Sequence, residues 1–310
     1  MSDPQSIDGV LVQWGERLFY PGNRIVKVAP QPRVPANLLR QRANAVRARI
    51  EATVVRRAPQ VMVKVTGGGR GMKAIAAHFK YISKNGRLDI EDDRGELLRG
   101  KDDLRGLADD WRLGGTPIDD LGFRREAFNV MLSMPRGVDP LYVLKAAREF
   151  AQTELADHKY VMVLHDHQAN PHVHLSVRAE SRRGKRLNPR KADLSRWRQT
   201  FADKLREMGI EAEASSRAVR RQGRQGEALW RIKAGEEQRL LRDQPRSRDS
   251  TSSINWKRSV EIWSQLTNAL SVSDEPRDRK LAAALRELAR PTIETGRATA
   301  ISRDRVEPRR

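Results

Sequence analysis

Four of the protein's six histidines lie in one short segment, HDHQANPHVHL, which runs from His165 to Leu175. An apolar, β-prone run precedes this segment, and apolar and polar residues alternate after it. The sequence therefore predicts two strands joined by a tight polar loop. Pro171 fits the start of the second strand, where no backbone donor is needed. Because side chains alternate across a strand, His172 and His174 are expected on one face and Val173 on the other.

The hairpin would bring three imidazoles close to one point. His165 ends the first strand, and His172 and His174 begin the second, which is the arrangement of a divalent metal site with open positions. A single histidine beside a strand is usually a surface or packed residue, but three at hairpin spacing indicate a metal site. Three imidazoles suit zinc, manganese, cobalt or nickel better than magnesium, so a three-histidine zinc hydrolase is an alternative interpretation.

The charge of the chain points to a polyanionic partner. Lys+Arg number 60 and Asp+Glu number 40, which gives a formal net charge of +20 and a sequence pI near 10.9. Nucleic acid is the commonest partner of such a protein, although a soluble basic protein or a membrane-surface binder could carry the same charge. The absence of cysteine excludes disulfides, cysteine-based zinc fingers and cysteine nucleophiles.

The length and the apolar pattern set further bounds. A chain of 310 residues allows one substantial domain with extensions, or two small domains. No apolar signal-like run follows Met1, and no stretch approaches the length of a membrane span. We therefore expect a cytoplasmic protein without membrane insertion.

Three regions are predicted along the chain. Residues 1–58 form a basic N-terminal extension with a helix from Ala36 to Ala52, which is either an arm on nucleic acid or a solvated helix packed on the main domain. Residues 59–226 form a compact α+β unit. Residues 227–310 form a helical, basic and partly disordered C-terminal region. Within it we expect a charged helix reaching Leu241, a polar linker at 243–253, helices at 255–270 and 274–288, and a basic tail at 303–310.

Within the central unit, the apolar periodicity predicts strands at 61–65 and 127–134 and helices at 72–84, 140–156 and 194–208. The glycine run Gly67–Gly69 could bring backbone donors close to a phosphate, but such a turn is more often a flexible corner. It is not a P-loop, because the Lys-Ser/Thr ending is missing. Residues 89–110 hold nine acids against four bases, so we expect them to face away from a phosphate backbone.

Positive charge is concentrated after the hairpin. Residues 182–224 carry 14 Lys+Arg against 5 Asp+Glu. A charge run is usually a solvated face, but this one follows directly on the histidine strand. The helix predicted at 194–208 buries one apolar face, and four basic side chains are then left for phosphates. They are Arg190, Arg196, Arg198 and Lys204.

If the substrate is nucleic acid, a nucleophile is needed, and it can be water or a side chain. Of the four tyrosines, Tyr81 lies off the apolar face of its predicted helix and near the expected helix end at Asn85–Gly86. Basic groups at Lys80, Lys84 and Arg87 would help to stabilise its phenolate. Taken alone, a helical tyrosine is more often a packing residue than a nucleophile.

The motif around Tyr81 resembles that of the MOB-P class of conjugative DNA relaxases, which includes the border-nicking endonucleases of plant-tumour plasmids. Tyr81, within HFKYISKNGRL at 78–88 and after the glycine run, matches the tyrosine that attacks DNA. Ser133, within NVMLSMPRG at 129–137, matches a strand serine that contacts the DNA near the nick.

The same resemblance extends along most of the central unit. His165, His172 and His174 fall on the family's metal-binding positions, and the segments at 186–191 and 216–221 are similar to its downstream part. The resemblance covers about 61–224, in order. One departure concerns the aspartate that many members carry two residues after the first histidine. Here that place is His167, and Asp166 comes one residue earlier, so His167 is an outer group, an extra ligand or a DNA contact.

The resemblance implies an α+β, HUH-type fold, in which a central antiparallel sheet carries the histidine strands and helices lie on one side. It also implies site- and strand-specific nicking at a plasmid origin of transfer, with Tyr81 forming a 5′-phosphotyrosyl bond and leaving a free 3′-hydroxyl. Because similar bonds are exchanged, the step can reverse. We expect a divalent metal as cofactor, magnesium or manganese, with zinc, cobalt or nickel as alternatives.

The implied partners are single-stranded origin DNA, accessory relaxosome proteins and a type IV secretion coupling protein. Expected DNA contacts are Ser133, Lys84, Arg87, Arg190, Lys191, Arg196 and Arg198. The alternative functions are a rolling-circle replication initiator and a DNA-binding protein that does not nick. Covalent attachment to an oligonucleotide distinguishes the first interpretation from a non-nicking binder, which would shift DNA and leave it intact.

Overall fold

The computed structural model describes residues 6–19, 35–215, 219–220 and 250–289. Six strands in these ranges form one antiparallel sheet. They are β1 (Met62–Gly67), β2 (Ile90–Asp92), β3 (Leu97–Leu98), β4 (Ala127–Ser133), β5 (His158–His165) and β6 (His172–Ser181). Their order across the sheet is β1-β4-β6-β5-β2-β3. The two histidine-bearing strands are therefore central, as expected.

Eight α-helices accompany the sheet within the described residues. They are α1 (Ile7–Phe19), α2 (Ala36–Ile50), α3 (Met72–Ile82), α4 (Gly100–Leu113), α5 (Pro140–Glu154), α6 (Lys191–Glu207), α7 (Ser250–Ser271) and α8 (Pro276–Ala289). A π-helical turn, Glu51–Val55, extends α2. No helix in the described ranges is long and apolar enough to cross a membrane.

Local chemistry explains where the two helices of the main core begin. Asp139 precedes α5 and accepts a 2.8 Å hydrogen bond from the backbone N–H of Leu141, while Pro140 occupies the first turn, where its missing donor costs nothing. At the start of α6, the Asp193 carboxylate accepts a 2.8 Å hydrogen bond from the backbone N–H of Arg190. Helix α5 begins at its predicted residue and ends two residues before its predicted end. Helix α6 begins three residues before its predicted start and ends one residue before its predicted end.

The main core lies between one face of the sheet and α5 and α6. Alternate residues of the central strands, such as Leu132, Val173 and Leu175, are fully buried there against Phe150 and Phe201. The period of two along β6 thus sends the apolar residues to this face and the histidines to the other. This arrangement confirms the prediction for the histidine hairpin.

A second, smaller core covers part of the opposite face. Helices α3 and α4 pack Phe79 and Trp111 edge to face, at 4.9 Å between ring centroids, and cover Val161 and Val163 of β5. The expectation of helices on one side only is therefore wrong, because β5 is apolar on both faces: Val161 and Val163 face α3 and α4, and Met162 faces the main core. The part of this face that α3 and α4 leave uncovered carries the histidines.

The glycine run after β1 is required by close backbone contact. A Cβ atom on Gly68 would lie 2.1 Å from the carbonyl oxygen of Ala127, so no other residue fits there without displacement. The N–H of Gly69 donates to the same carbonyl at 3.1 Å. In the described structure, the run serves to join β1 to the start of β4.

The terminal helices pack together, although they are far apart in sequence. Leu11 of α1, Val46 of α2, Leu266 of α7 and Leu285 of α8 share a third apolar core. Arg47 donates to the buried Asp278 through two nitrogens, at 2.8 and 2.9 Å. Helix α1, strands β2 and β3 and helix α4 were not predicted from sequence. Outside the described residues lie the charged helix expected after Gly226 and up to Leu241, residues 243–249 of the expected linker, the expected tail at 303–310, and the motif residues 216–218 and 221.

Candidate active site

The structure brings His165, His172 and His174 into one cluster. The ring centroids lie 5.1 Å apart for His165 and His172, 4.6 Å for His165 and His174, and 5.0 Å for His172 and His174. One ring nitrogen from each histidine lies within 4.8 Å of the others. This is the only such cluster of potential metal ligands among the described residues.

The register of the sheet explains this cluster. His165 on β5 and Ser133 on β4 both pair with His172, which lies between them on β6. Directly paired residues of an antiparallel sheet point to the same face. His174 follows two residues later on that face, so the three imidazoles converge without any special loop conformation.

Two of the rings are oriented by backbone carbonyls. His165 Nε2 lies 2.7 Å from the carbonyl oxygen of Ile82, and His172 Nδ1 lies 3.0 Å from that of Asn170. A carbonyl only accepts, so each of these nitrogens must carry the proton. The Nδ1 atom of His165 and the Nε2 atom of His172 are then left with free lone pairs. Outer hydrogen bonds of this kind commonly fix the tautomer of metal-binding histidines.

Burial keeps two of the clustered histidines, His174 and His165, neutral. Desolvation lowers the pKa of His174 to about 3, with smaller contributions from His165 and His172. The pKa of His165 is also lowered, mainly by burial. The Nδ1 atom of His174 is buried and has no hydrogen-bond partner in the described part of the chain. Imidazoles with ring nitrogens that no protein group occupies fit a divalent cation, and three such ligands leave coordination positions open.

Tyr81 lies in the last turn of α3, beside the cluster. Its side chain is 71% exposed, whereas its neighbours Phe79 and Ile82 are fully buried. The next residue, Ile82, supplies the carbonyl that orients His165. The end of the tyrosine helix is therefore fixed to the histidine strand, while the phenol is free to meet a ligand from solvent.

The end of α3 is itself well defined. Ser83 Oγ donates to the carbonyl of Phe79 at 2.7 Å and accepts from the N–H of Gly86 at 3.0 Å. Lys84 and Asn85 then adopt left-handed φ angles of 51° and 60°. This turn reverses the chain next to Tyr81 and leaves Lys84 exposed near the cluster, where its charge contributes to the lowered pKa of His165.

Ser133 and His167 border the cluster in different ways. The Ser133 side chain is buried, and its hydroxyl donates to the carbonyl of Pro171 at 3.2 Å, which ties β4 to the hairpin loop. His167 is exposed, and its ring centroid lies 5.2 Å from that of His165. Asp166 is also exposed. His167 is therefore an exposed imidazole at the border of the cluster.

The expected DNA contacts are divided between two places. Lys84 and Arg87 are exposed in the turn after α3, and the charge of Lys84 acts on His165 of the cluster. The four other basic residues belong to α6, on the opposite face of the sheet, and differ in exposure and pairing. Arg190 and Lys191 are exposed at its start. Arg196 pairs with Glu154 at 2.9 Å and with Asp193 at 3.0 Å, and burial lowers the pKa of Arg198.

Sequence reasoning missed two participants in this site. The ring of His78 stacks on that of Tyr81, at 6.1 Å between centroids and 28° between planes. The Nε2 atom of His78 is buried without a partner in the described ranges. His78 precedes Tyr81 by three residues, so helical spacing could have indicated the contact. The carbonyl of Ile82 had no signal in the sequence, because any residue supplies one.

Comparison with protein families gives one match. Residues 105–210 match the family described as Relaxase: MobA/VirD2-like, nuclease domain. The matched segment contains all three clustered histidines and Ser133, and Tyr81 precedes it. A comparison with curated proteins gives no match.

Proposed function

We propose that this chain, a relaxase-type mobilization nuclease by the match of its residues 105–210, nicks and rejoins one DNA strand at a plasmid origin of transfer. The family match supports DNA nicking for mobilization in general terms. The proposal adds that Tyr81 is the nucleophile, that the bond formed is a 5′-phosphotyrosyl ester, and that the three clustered histidines hold a divalent metal.

The observation that carries the proposal is the junction of α3 with the hairpin. An exposed tyrosine and three clustered imidazoles lie on the same face of the sheet, and the Ile82 carbonyl joins their two elements. A nucleophile that must meet a phosphate bound near the imidazoles needs this proximity. A tyrosine of a packing helix would instead be buried, as Phe79 is.

The reaction exchanges one phosphodiester for another. The Tyr81 oxygen loses its proton to solvent and attacks the scissile phosphorus, a P–O bond forms to the phenol, and the P–O3′ bond breaks. The leaving 3′-oxygen takes up a proton from solvent. A divalent cation held by His165, His172 and His174 would supply charge neutralisation and orientation at a non-bridging phosphate oxygen.

The remaining groups of the site position the reactants. The Ile82 carbonyl holds the His165 ring, and the Asn170 carbonyl holds that of His172. The exposed charges of Lys84 and Arg87 can neutralise phosphates that flank the nick. Because the ester formed and the ester broken are similar in energy, the free 3′-hydroxyl can attack the phosphotyrosine and restore the strand.

The proposed substrate and partners follow from this chemistry. A phosphate that must approach Tyr81 and the imidazoles together is accessible in single-stranded or locally melted DNA. We include accessory proteins that melt the origin and a type IV secretion coupling protein among the proposed partners. The proposed metal is magnesium or manganese, with zinc, cobalt or nickel as alternatives.

The test is a search for a covalent adduct. The full chain is incubated with single-stranded oligonucleotides that tile a candidate origin, with and without Mn²⁺, and separated by denaturing electrophoresis. We expect a labelled band at the mass of protein plus the 3′-side fragment of the DNA, in the presence of metal only. Binding to DNA without an adduct on any oligonucleotide of a confirmed origin would contradict the proposal.

A further inference from the structure

A second concave site lies on the sheet face opposite the histidines. Phe128 of β4 and Val65 of β1 belong to this face, and the start of α6 closes one side. The cleft has a volume of about 350 Å³, within the range of small-ligand sites. Its walls include Arg70, Phe123, Arg125, Phe128, Asn188 and Leu194.

Two aromatic rings define the cleft. Phe128 is 7% exposed and forms part of the inner wall, while Phe123 is fully exposed at the rim. The Arg125 guanidinium lies over the Phe128 ring, 5.1 Å from its centroid. A fully exposed ring at the rim of a cleft is free to stack on a planar ligand that enters it.

The cleft also carries uncompensated positive charge. Neither Arg70 nor Arg125 pairs with a carboxylate in the ranges that the structure describes, whereas the neighbouring Arg124 and Arg186 both pair with Glu126. Arg190 and Lys191 are exposed at the start of α6, next to the wall formed by Asn188 and Leu194. The charge and the aromatic faces together match a polyanion with planar groups.

The loop that carries Phe123 is fixed to the glycine turn. The N–H of Met72 donates to the carbonyl of Asp119 at 2.9 Å, and the N–H of Glu126 donates to that of Gly69 at 2.7 Å. A Cβ on Gly122 would lie 2.8 Å from the carbonyl oxygen of Arg70. Because these bonds already hold the loop in place, binding does not have to order it, and the avoided loss of conformational entropy favours affinity.

We propose that this cleft binds an unpaired nucleobase of the single-stranded DNA substrate. The base stacks on Phe123, and Arg70 and Arg125 contact the flanking phosphates. The inference rests on the proposed function, since it assigns part of the same substrate. Phe128 precedes Ser133 by five residues of β4, roughly 17 Å along a strand, and it points to the other face. The bound base is thus several nucleotides from the scissile phosphate, around the β1 edge of the sheet.

The experiment uses the full chain carrying Tyr81→Phe, so that binding is measured without cleavage. Fluorescence anisotropy with EDTA compares a 20-nucleotide oligothymidine with a 20-nucleotide strand of abasic sites. We expect Phe123→Ala to weaken binding to oligothymidine by about tenfold and to leave binding to the abasic strand unchanged. The matched control is Leu97→Ala, which shortens an exposed apolar side chain on β3, at the other edge of the sheet.

The arginines give an independent readout. Replacing Arg70 and Arg125 together with glutamine should weaken binding to both strands and lower the slope of log affinity against log salt by about 0.7 per contact. The control is Lys101→Gln, which removes from α4 an exposed charge that, like Arg70 and Arg125, pairs with no carboxylate in the described ranges. Binding to oligothymidine that is equal in the Phe123→Ala and Leu97→Ala proteins would overturn the inference.

The adduct assay separates this inference from the proposed function. If the chain with Tyr81 intact forms the adduct but Phe123→Ala does not alter base-dependent binding, the cleft assignment fails and the proposed function stands. If Phe123 governs base-dependent binding but no origin oligonucleotide is attached to the protein, the cleft is a nucleobase site and the proposed nicking reaction fails.

Discussion

His165 Nε2 lies 2.7 Å from the carbonyl oxygen of Ile82, and this contact joins the histidine strand to the helix of Tyr81. The residue next to the proposed nucleophile thus sets the orientation of a proposed metal ligand. A shift of α3 would therefore move the Tyr81 phenol and the His165 ring together. The predictions that follow separate the roles of these groups from their contribution to the fold.

Replacing Tyr81 with phenylalanine should abolish covalent attachment to DNA and change the affinity for single strands by less than a factor of two or so, because the ring stays and only the hydroxyl is lost. The adduct is measured by denaturing electrophoresis and the affinity by anisotropy. Tyr142→Phe is the matched control, since Tyr142 is also a partly exposed helical tyrosine. An adduct that persists in Tyr81→Phe would assign the nucleophile to another residue.

His172→Ala and His174→Ala should each lose Mn²⁺ binding in calorimetry and lose nicking, because two imidazoles cannot hold the cation as three do. His167→Ala should have a milder effect, since its exposed ring borders the cluster without belonging to it. His158→Asn serves as the control: His158 lies outside the cluster and bonds the carbonyl of Arg178. Unchanged Mn²⁺ affinity in both alanine variants would rule out the metal assignment.

The stability of the metal-free protein should fall on mild acidification. An unfolded histidine binds a proton near pH 6.5, whereas folding lowers the pKa of His174 to about 3, so the unfolded state takes up more protons in this window. The free energy of unfolding should drop by about 1 kcal/mol per such histidine between pH 7 and 5.5. This change in the free energy of unfolding is measured by urea unfolding in the presence of EDTA.

The control for this pH dependence is His174→Asn, which removes one titrating group. Its free energy of unfolding should fall less between the same two pH values than that of the unsubstituted protein. Glu126 and Asp278 also have lowered pKa values, but their usual values are 4.5 and 3.8, so they contribute at lower pH. Parallel pH profiles for the two proteins would show that His174 is not kept neutral by folding.

Asp278→Asn should destabilise the protein by roughly 3 kcal/mol, because the buried Arg47 loses its bidentate, fully buried partner and keeps only the partly exposed Asp8, at 2.7 Å. The pair raises the pKa of Arg47 and lowers that of Asp278. Nicking of single strands should be unchanged at temperatures where the variant is folded. Urea unfolding and the adduct assay give the two readouts, and a loss below 1 kcal/mol would show that Asp8 and solvent compensate for the missing carboxylate.

The basic residues of α6 should differ in their effect on DNA binding, according to whether they already form ion pairs. Arg190→Gln with Lys191→Gln should weaken binding to all single strands and flatten the salt dependence by about 0.7 per lost contact. Arg196→Gln should leave the salt dependence unchanged, because its guanidinium is already paired with Glu154 and Asp193. Salt titration of oligothymidine binding compares them, and equal effects would mean that the ion pairs of Arg196 open on DNA.

Local patterns predicted the central elements correctly for physical reasons. The period of two in residues 172–177 sets which face of β6 is apolar, so the hairpin and the grouping of its histidines could be anticipated. Strands β2 and β3 have three and two residues, too few to show a period, and they lie in an acidic stretch. The apolar face of helix α1 packs on α2 and α7, which lie elsewhere in the sequence. The residues around α1 therefore do not show what that face contacts.

The order of residues by itself determined the histidine cluster, because strand alternation and hairpin pairing act over fewer than twenty residues. It also marked Tyr81 as a polar-facing tyrosine at a helix end. Only the tertiary structure decided that the Ile82 carbonyl meets His165, 83 positions away, and that the cleft of Phe123 faces away from the histidines. Such contacts depend on how helices pack across both faces of the sheet, and packing is set by complementary surfaces that no local period encodes.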